Sequence, residues 1–187
     1  MRILGGLIAV AAVALASSLA LEGALATTVS SIVVHDPPAL RIKDEAGTAS
    51  KPNLMTVSRD RRIVITDAGG GSLFSLQGDE PGEPCYDTDG MSTTMRCKAR
   101  GITRVVVRLG EQDDRLRIGL GGGSRIRQLA FGEDGGDRLT GRGGKQRLVG
   151  GVGDDVLRGG PGRDVLIGGP GDDRCIGGPG KDRIRRC

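Results

Sequence analysis

Carboxylates recur at an interval of nine residues in the last third of the chain. Six nonapeptides follow one another from residue 132, and their sixth places hold Asp137, Gln146, Asp155, Asp164, Asp173 and Asp182. Glycine fills the first and fourth places of every unit, and the eighth place holds leucine, isoleucine or cysteine. Carboxylate and carbonyl oxygens, about six to eight in number, are the ligands that Ca²⁺ prefers. The spacing therefore indicates a repeated set of oxygen ligands of this kind.

Glycines are expected to complete these metal sites. Glycine adopts positive φ at little steric cost and lets backbone carbonyls approach a common centre. The expected metal-site glycines are the first and fourth places of the last four units, namely Gly150, Gly153, Gly159, Gly162, Gly168, Gly171, Gly177 and Gly180. Asp154 and Asp172 occupy fifth places, and we expect them to lie at the periphery of the sites.

The pattern G-G-x-G-x-D-x-U-x, in which U is a large apolar residue, resembles the hemolysin-type calcium-binding repeats of the RTX family. The resemblance covers residues 132–185 closely and residues 109–117 loosely. It implies an all-β fold whose carboxy-terminal part is a parallel β-roll. In such a roll each nonapeptide forms a turn and a short strand, two nonapeptides make one coil, and calcium lies between stacked turns.

Coils of this kind place every second turn on the same edge of the roll. The resemblance therefore puts Asp137, Asp155 and Asp173 on one edge and Gln146, Asp164 and Asp182 on the other. An ion shared by successive turns would meet two carboxylates at 137/155, 155/173 and 164/182. The 146/164 position offers an amide in place of one carboxylate. We expect three good calcium sites and one weak site.

The free energy gained from hydrophobic burial alone is too small to fold the repeats. The chain of 187 residues contains 34 glycines, no tryptophan, one tyrosine and two phenylalanines. Ordering one residue costs roughly 1–2 kcal/mol, whereas burying one large apolar side chain contributes roughly 1.5–3 kcal/mol. Either the repeats are a disordered linker or bound calcium supplies the missing free energy. The regularity of four places over six units favours the calcium-bound fold.

The elements that support the roll are predicted to be strands. Residues 27–118 contain alternating apolar and polar segments, such as 39–43, 62–66 and 102–107, broken by proline and glycine turns. They predict a small, mainly antiparallel β region. Residues 119–131 break the nonapeptide register and are expected to form an irregular junction before the β-roll of residues 132–187.

Residues 1–26 indicate a signal peptide. Arg2 precedes an apolar run that ends near Leu21, and Ala24-Leu25-Ala26 forms an A-x-A cleavage site. We expect cleavage, secretion and an extracellular location without membrane contact, and an uncleaved anchor is the alternative. The β region followed by L-G-x-x-D-D-R-L resembles secreted bacterial RTX proteins of unassigned role. Many RTX toxins carry no amino-terminal signal, so the resemblance does not extend to them.

The four cysteines favour disulfide bonds in an oxidising compartment. Three connectivities are open, and we favour Cys85–Cys97 and Cys175–Cys187 because each closes a local loop of twelve residues. Neither pair has the spacing of a zinc site. Cys175 takes the place of an interior apolar residue, and a free buried thiol at that position is the alternative.

Few residues suggest catalysis. His35 is the only histidine, and the chain has neither a G-x-S-x-G nor an H-E-x-x-H motif. The net charge of +4 comes with almost no aromatic side chains, which argues against nucleic-acid binding. We therefore expect a secreted, non-enzymatic protein whose cofactor is Ca²⁺ and whose β-roll folds on calcium binding. The alternatives are a calcium-rigidified adhesion or matrix protein and a secreted hydrolase accessory.

Overall fold

A computed structural model describes residues 29–36, 39–44, 54–59, 62–68, 72–75, 85–87 and 94–187. Within these residues the regular structure consists of sixteen β-strands and contains no helix. None of them consequently forms a helix that is long and apolar enough to cross a membrane. The predicted signal peptide of residues 1–26 and its cleavage site lie outside the described residues.

The strands fall into an amino-terminal group and a carboxy-terminal group. The first group is β1 Val29–Asp36, β2 Ala39–Asp44, β3 Leu54–Arg59, β4 Ile63–Asp67, β5 Ser72–Ser75, β6 Cys85–Asp87 and β7 Thr94–Cys97. The second group is β8 Arg104–Glu111, β9 Arg115–Gly119, β10 Arg127–Asp134, β11 Arg138–Gly141, β12 Gln146–Val152, β13 Val156–Arg158, β14 Val165–Ile167, β15 Arg174–Ile176 and β16 Arg183–Arg185.

Two eight-stranded sheets enclose one hydrophobic core. Their strand orders are β16-β14-β12-β10-β8-β2-β1-β5 and β15-β13-β11-β9-β3-β4-β7-β6. From β8 onward the chain alternates between the two sheets, and each strand pairs in parallel with the strand one coil further along. The structure therefore confirms an all-β fold with a parallel β-roll.

Strand register fixes the length of each coil. Arg138 pairs with Val156 and Arg147 pairs with Val165, so equivalent residues lie eighteen positions apart. The first coil is longer, because Arg115 pairs with Arg138 at a separation of 23 residues. The irregular junction predicted for 119–131 is correspondingly too long. Strand β10 begins at Arg127, because the inward-facing Gln128 and Ala130 continue the buried face of the sheet.

The core consists of two columns of inward-facing side chains, one from each sheet. Strand pairing aligns their members, each no more than 1% exposed: Ile42, Val107, Ala130, Leu148 and Leu166 in one sheet and Met55, Leu116, Leu139 and Leu157 in the other. Cys175 is partly buried and packs against this core. Ile184 in the outermost strand β16 remains 47% exposed, so not every eighth-place side chain is interior.

The amino-terminal strands continue the same sheets. Pairs β1–β2, β3–β4, β4–β7 and β6–β7 are antiparallel, as predicted, whereas β1–β5 is parallel. The predicted region of 27–118 is too long, because β8 and β9 already belong to the parallel roll. Strands β2 and β3 then pair in parallel with β8 and β9, one in each sheet. Because Ile63, Ile65 and Met95 belong to the same core cluster as the roll leucines, the β region closes one end of the roll.

Both favoured disulfides are present. Cys85–Cys97 joins directly opposed residues of β6 and β7 inside the core. Cys175–Cys187 ties the chain after β16 to strand β15. All four cysteines are therefore paired, and the alternative of a free thiol at Cys175 is wrong.

Candidate metal centre

The turns that connect the two sheets lie along two edges of the roll. The register of the following strands puts Asp114, Asp137, Asp155 and Asp173 at equivalent positions, and we call this set the Asp edge. The opposite set, the Gln edge, consists of Gln128, Gln146, Asp164 and Asp182. The structure thus stacks 137/155, 155/173 and 164/182 as carboxylate pairs and pairs Gln146 with Asp164.

The stacked aspartates use one carboxylate oxygen to form hydrogen bonds between successive coils. Asp137 Oδ1 accepts a hydrogen bond from the backbone N–H of Asp114 at 2.8 Å, and Asp155 Oδ1 accepts one from Asp137 at 2.8 Å. The same bond joins Asp173 to the N–H of Asp155 at 3.0 Å. On the Gln edge it runs from Gln146 N–H to Asp164 and from Asp164 N–H to Asp182, both at 2.9 Å. Of the two carboxylate oxygens, only Oδ1 forms these bonds between coils.

The second oxygen of these aspartates is left over. Oδ2 of Asp137, Asp155, Asp164 and Asp173 is buried and accepts no hydrogen bond from the described residues. Desolvation, reinforced by the charges of Asp155 and Asp113, raises the pKa of Asp137 to about 7 despite the hydrogen bond from Asp114. Burial likewise raises the pKa of Asp155 to about 6 and that of Asp164 above its ordinary value. An ionised carboxylate in this setting needs a cation.

First-place glycines make room for that oxygen. A Cβ added at Gly150 would lie 1.9 Å from Asp155 Oδ2, and one at Gly168 would lie 2.2 Å from Asp173 Oδ2. No positive φ occurs at these first places, so the sequence argument from φ does not apply to them. Glycine is required there because the carboxylate of the same turn occupies the space of a side chain.

Second- and fourth-place glycines do have positive φ. The fourth-place values are 130° at Gly153, 156° at Gly162, 141° at Gly171 and 147° at Gly180. A Cβ at Gly171 would also lie 2.1 Å from the carbonyl oxygen of Gly153 in the preceding coil. These glycines therefore allow the turns to stack backbone against backbone.

Backbone carbonyl oxygens lie beside the leftover carboxylate oxygens. A Cβ placed on Gly132 would be 1.9 Å from Asp137 Oδ2 and 2.6 Å from the carbonyl oxygen of Gly150 in the next coil. On the Gln edge, a Cβ on Gly159 would be 2.6 Å from both Asp164 Oδ2 and the Gly177 carbonyl oxygen. One carboxylate and one carbonyl oxygen thus converge at each of these turns, which fits the ligand preference of Ca²⁺.

Side chains alone do not surround a metal ion. Across the part of the chain that the structure describes, no group of three or more His, Cys, Asp or Glu side chains comes together. Stacked turns bring two carboxylates into one neighbourhood, so carbonyl oxygens must supply most of a set of about six to eight ligands. The residue composition fits a calcium site between turns and does not fit a site built from a side-chain cluster.

Two members of the edges were missed by the nonapeptide pattern. Asp114 is fully buried and stacks on Asp137, and Gln128 is buried and stacks on Gln146. The 23-residue first coil shifts Asp114 out of the nine-residue phase. Gln128 lies in phase, nine residues before Asp137, but its unit has Ile126 in place of the fourth-place glycine. A usable signal was the triplet Asp114-Arg115-Leu116, which returns as Asp137-Arg138-Leu139.

The side chains of the two glutamines form hydrogen bonds with backbone groups of their own turns. Gln128 Oε1 accepts a hydrogen bond from Leu120 N–H at 3.2 Å, and Gln146 Nε2 donates one to the carbonyl oxygen of Gly143 at 2.5 Å. Fifth-place aspartates form separate contacts at the surface, where Asp154 Oδ1 accepts a bond from Asp172 N–H at 2.9 Å. They lie outside the buried positions, as expected for peripheral residues.

The fold and the turns define a parallel β-roll with buried aspartates stacked in glycine-rich turns. Residues 149–184 match a protein-family model described as RTX calcium-binding nonapeptide repeat (4 copies). The match confirms the resemblance over the last four nonapeptides and supports a calcium-binding protein. Residues 132–148 lie outside it, although they form coils of the same register. No significant match to the chain occurs among curated proteins or solved structures.

Proposed function

We propose that this chain is a secreted, non-enzymatic calcium-binding protein whose β-roll folds when Ca²⁺ binds between stacked turns. The observation that carries the proposal is the buried Oδ2 atom of Asp137, Asp155, Asp164 and Asp173. In each of them it has no hydrogen-bond partner among the described residues. A bound divalent cation would supply the positive charge that keeps these desolvated carboxylates ionised. The carboxylates are already held in position by the Oδ1 bonds between coils.

Four stacked pairs offer two carboxylates each. Three of them, 137/155, 155/173 and 164/182, follow from the nonapeptide phase, and the structure adds 114/137. First-place carbonyls, those of Gly150 and Gly177 among them, would supply further oxygens. The 146/164 pair offers one carboxylate and one amide, so we expect it to bind Ca²⁺ weakly.

Calcium binding of ordinary strength would decide whether the roll is folded. Extracellular calcium modules bind with dissociation constants of about 10⁻⁴–10⁻³ M. At about 1 mM calcium and a dissociation constant of about 0.1 mM, each site adds roughly 1.4 kcal/mol to the free energy of unfolding. Four such sites add roughly 6 kcal/mol, which is comparable to the whole stability of an ordinary domain. The roll would therefore fold after export, where calcium is abundant.

Asp155→Asn tests the proposal, because asparagine keeps the Oδ1 acceptor and removes the charge. Asp155 belongs to two pairs, so calorimetric titration should show calcium stoichiometry falling from about four ions to about two. With calcium the variant should unfold at a lower temperature than the wild type. In chelator at pH 8 it should keep more β signal in circular dichroism than the wild type, because a buried unpaired charge has been removed.

Asp154→Asn is the matched control. It removes the same charge from the neighbouring exposed residue and keeps the bond to Asp172. We expect the calcium stoichiometry, the unfolding temperature in calcium and the β signal in chelator to stay close to the wild-type values. Unchanged calcium binding in Asp155→Asn, or equal losses in the two variants, would refute binding at the stacked carboxylates.

A calcium-rigidified adhesion or matrix protein is the second candidate function. The observation that favours it is an arginine-lined groove on one sheet, described below. Washed cells should retain the added protein when calcium is restored and release it in chelator if this function is correct. A protein that stays in the medium under both conditions would contradict adhesion and leave the calcium proposal intact.

A further inference from the structure

Arginines form two rows on the outer face of the sheet that contains β3, β9, β11 and β13. Strand pairing aligns Leu54, Arg115, Arg138 and Val156 in the first row. It aligns Thr56, Arg117, Thr140 and Arg158 in the second row. Neighbouring strands are about 4.8 Å apart, so each row runs along the roll axis with a short, regular spacing.

These residues line a groove of about 520 Å³, together with Leu116 and with Thr66 and Ala68 at the β4 end. We call it the arginine groove and define it by Arg115, Arg117, Arg138 and Arg158, all of which are exposed. None of the residues lining it is acidic or aromatic. The groove is therefore a continuous positive surface that follows the axis of the roll.

The four guanidinium groups are not neutralised within the described part of the chain. None of them forms an ion pair with a described carboxylate, and Arg115 stands directly opposite Arg138. Like charges in such cross-strand positions destabilise a sheet. On the other sheet, Arg108 is paired with Glu133 at 2.6 Å and lies 4.7 Å from the Phe131 ring centroid. The arrangement in the groove is explained if an external anion completes it.

We propose that the arginine groove binds a linear acidic polysaccharide. The planar guanidinium fork pairs with carboxylate or sulfate groups, and charges repeated along one axis suit a polymer with regularly spaced anions. The hydroxyls of Thr56, Thr66 and Thr140 lie in the same groove and can hydrogen-bond to sugar hydroxyls. Single-stranded nucleic acid fits less well, because no aromatic side chain is present for base stacking.

The arginine groove requires the folded roll, but it does not depend on which residues bind calcium. The arginines project from strands on an outer sheet face, whereas the buried aspartates lie in the turns at the edges. An Asp155→Asn result that refuted calcium binding would leave the arginine groove unchanged. The groove is therefore tested with its own variants, on protein kept in calcium.

The test measures binding to dextran sulfate and polygalacturonate, with neutral dextran and duplex DNA as comparison polymers. The groove variant carries Arg115→Thr, Arg117→Thr and Arg138→Thr, since threonine already occupies position 140 of the same rows. The control variant carries Arg127→Thr, Arg147→Thr and Arg183→Thr, which removes the same charge from exposed positions of the other sheet.

We expect the wild type to bind at least one acidic polysaccharide and to ignore neutral dextran. The groove variant should bind at least about tenfold more weakly, and the control variant should stay within about twofold of the wild type. Preference for dextran sulfate or for polygalacturonate then identifies sulfate or carboxylate as the anion. Added salt should weaken binding in either case.

Three results would overturn the proposal: no binding to either acidic polymer, equal losses in the two triple variants, or tighter binding of duplex DNA than of both polysaccharides. Misfolding is checked by thermal unfolding. Because Arg115 and Arg138 oppose each other, the groove variant should unfold at the wild-type temperature or slightly above it.

Discussion

The Asp edge and the Gln edge share their strand register and differ in the side chains that enter the turns. Gln146 occupies the place of an aspartate, yet its backbone N–H donates to Asp164 Oδ1 at 2.9 Å, as Asp137 N–H donates to Asp155 at 2.8 Å. Its side chain reaches Gly143 within its own turn. Turns of this shape therefore form without a carboxylate at every place. The comparison separates two roles of aspartate, since Oδ1 joins coils and Oδ2 is available for a cation.

The largest expected effect comes from filling the space beside a buried carboxylate. Gly150→Ala on the Asp edge would put Cβ 1.9 Å from Asp155 Oδ2, whereas Gly122 in the first turn of the Gln edge has nothing within 4 Å of an added Cβ. Gly150→Ala should lower the free energy of unfolding by about 3 kcal/mol or more, and Gly122→Ala should leave it nearly unchanged. Denaturant unfolding in calcium measures both, and equal effects would contradict the assigned packing.

A difference between the edges is expected when single carboxylates are neutralised. Asp137 belongs to two carboxylate pairs, 114/137 and 137/155, whereas Asp164 has a carboxylate neighbour only in Asp182. Asp137→Asn should therefore remove about two calcium ions and roughly 3 kcal/mol of calcium-dependent stability, and Asp164→Asn about half as much. Titration calorimetry and thermal unfolding test this. Equal losses would show that Asp114 does not contribute a site.

Acid should stabilise the calcium-free roll. The pKa values of about 7 for Asp137 and about 6 for Asp155 exceed the ordinary value of 3.8, so the folded state binds more protons than the unfolded state between these limits. Their stabilising contribution is complete below the ordinary value and is lost as the pH rises through the folded-state pKa. In chelator, the β signal in circular dichroism should be larger at pH 5 than at pH 8.

Asp137→Asn supplies the control for this pH dependence. The variant lacks the carboxyl whose pKa is raised to about 7, so its β signal in chelator should change less between the two pH values. With saturating calcium the wild type should lose this preference for acid, because the bound cation favours the ionised form. A wild-type protein that is more stable at pH 8 than at pH 5 in chelator would contradict the prediction.

The smallest effect is expected from converting the Gln edge toward the Asp edge. Gln146→Asp places a second carboxylate beside Asp164 and should add one calcium ion, worth roughly 1.4 kcal/mol under the conditions assumed above. Loss of the Gln146–Gly143 hydrogen bond offsets about 1 kcal/mol of this gain. Calcium stoichiometry is therefore the sharper measurement. An unchanged ion count would mean that carboxylate pairing is insufficient for a site.

The repeats allowed the roll to be predicted. The pairing of the amino-terminal strands with the roll could not be predicted. Glycine, aspartate and leucine at fixed places carry the resemblance to the RTX repeats. That resemblance implied the stacking at eighteen residues, which the structure shows. Nothing in the segments 39–43 and 54–57 indicates that β2 and β3 extend the two sheets of the roll. Parallel pairing with β8 and β9 depends on contacts between distant segments, which local alternation does not record.

The candidate site was predicted in composition and underestimated in extent. Asp114 escaped because five additional residues in the first coil, 23 instead of eighteen, break the nine-residue phase. Gln128 escaped because Ile126 replaces the fourth-place glycine of its unit. The role of first-place glycine was also assigned to φ, whereas the structure assigns it to the space of the carboxylate. The contact between a first-place glycine and the carboxylate lies within one turn. Its geometry is set by the neighbouring coil, because a backbone N–H of that coil holds the other carboxylate oxygen.

Because one coil of eighteen residues contains two nonapeptides, gaining or losing an even number of nonapeptides differs in its effect from gaining or losing an odd number. Removing residues 150–167, or duplicating them, leaves every later aspartate on its own edge and every later leucine in its own sheet, because the unit is one full coil. Removing only residues 150–158 instead exchanges the edges for the rest of the chain. Asp164 would then stack on Asp137, and Asp173 would stack on Gln146. Repeats can thus be gained or lost in pairs without altering the cross-section of the molecule, whereas an odd change redistributes charge between its two sides.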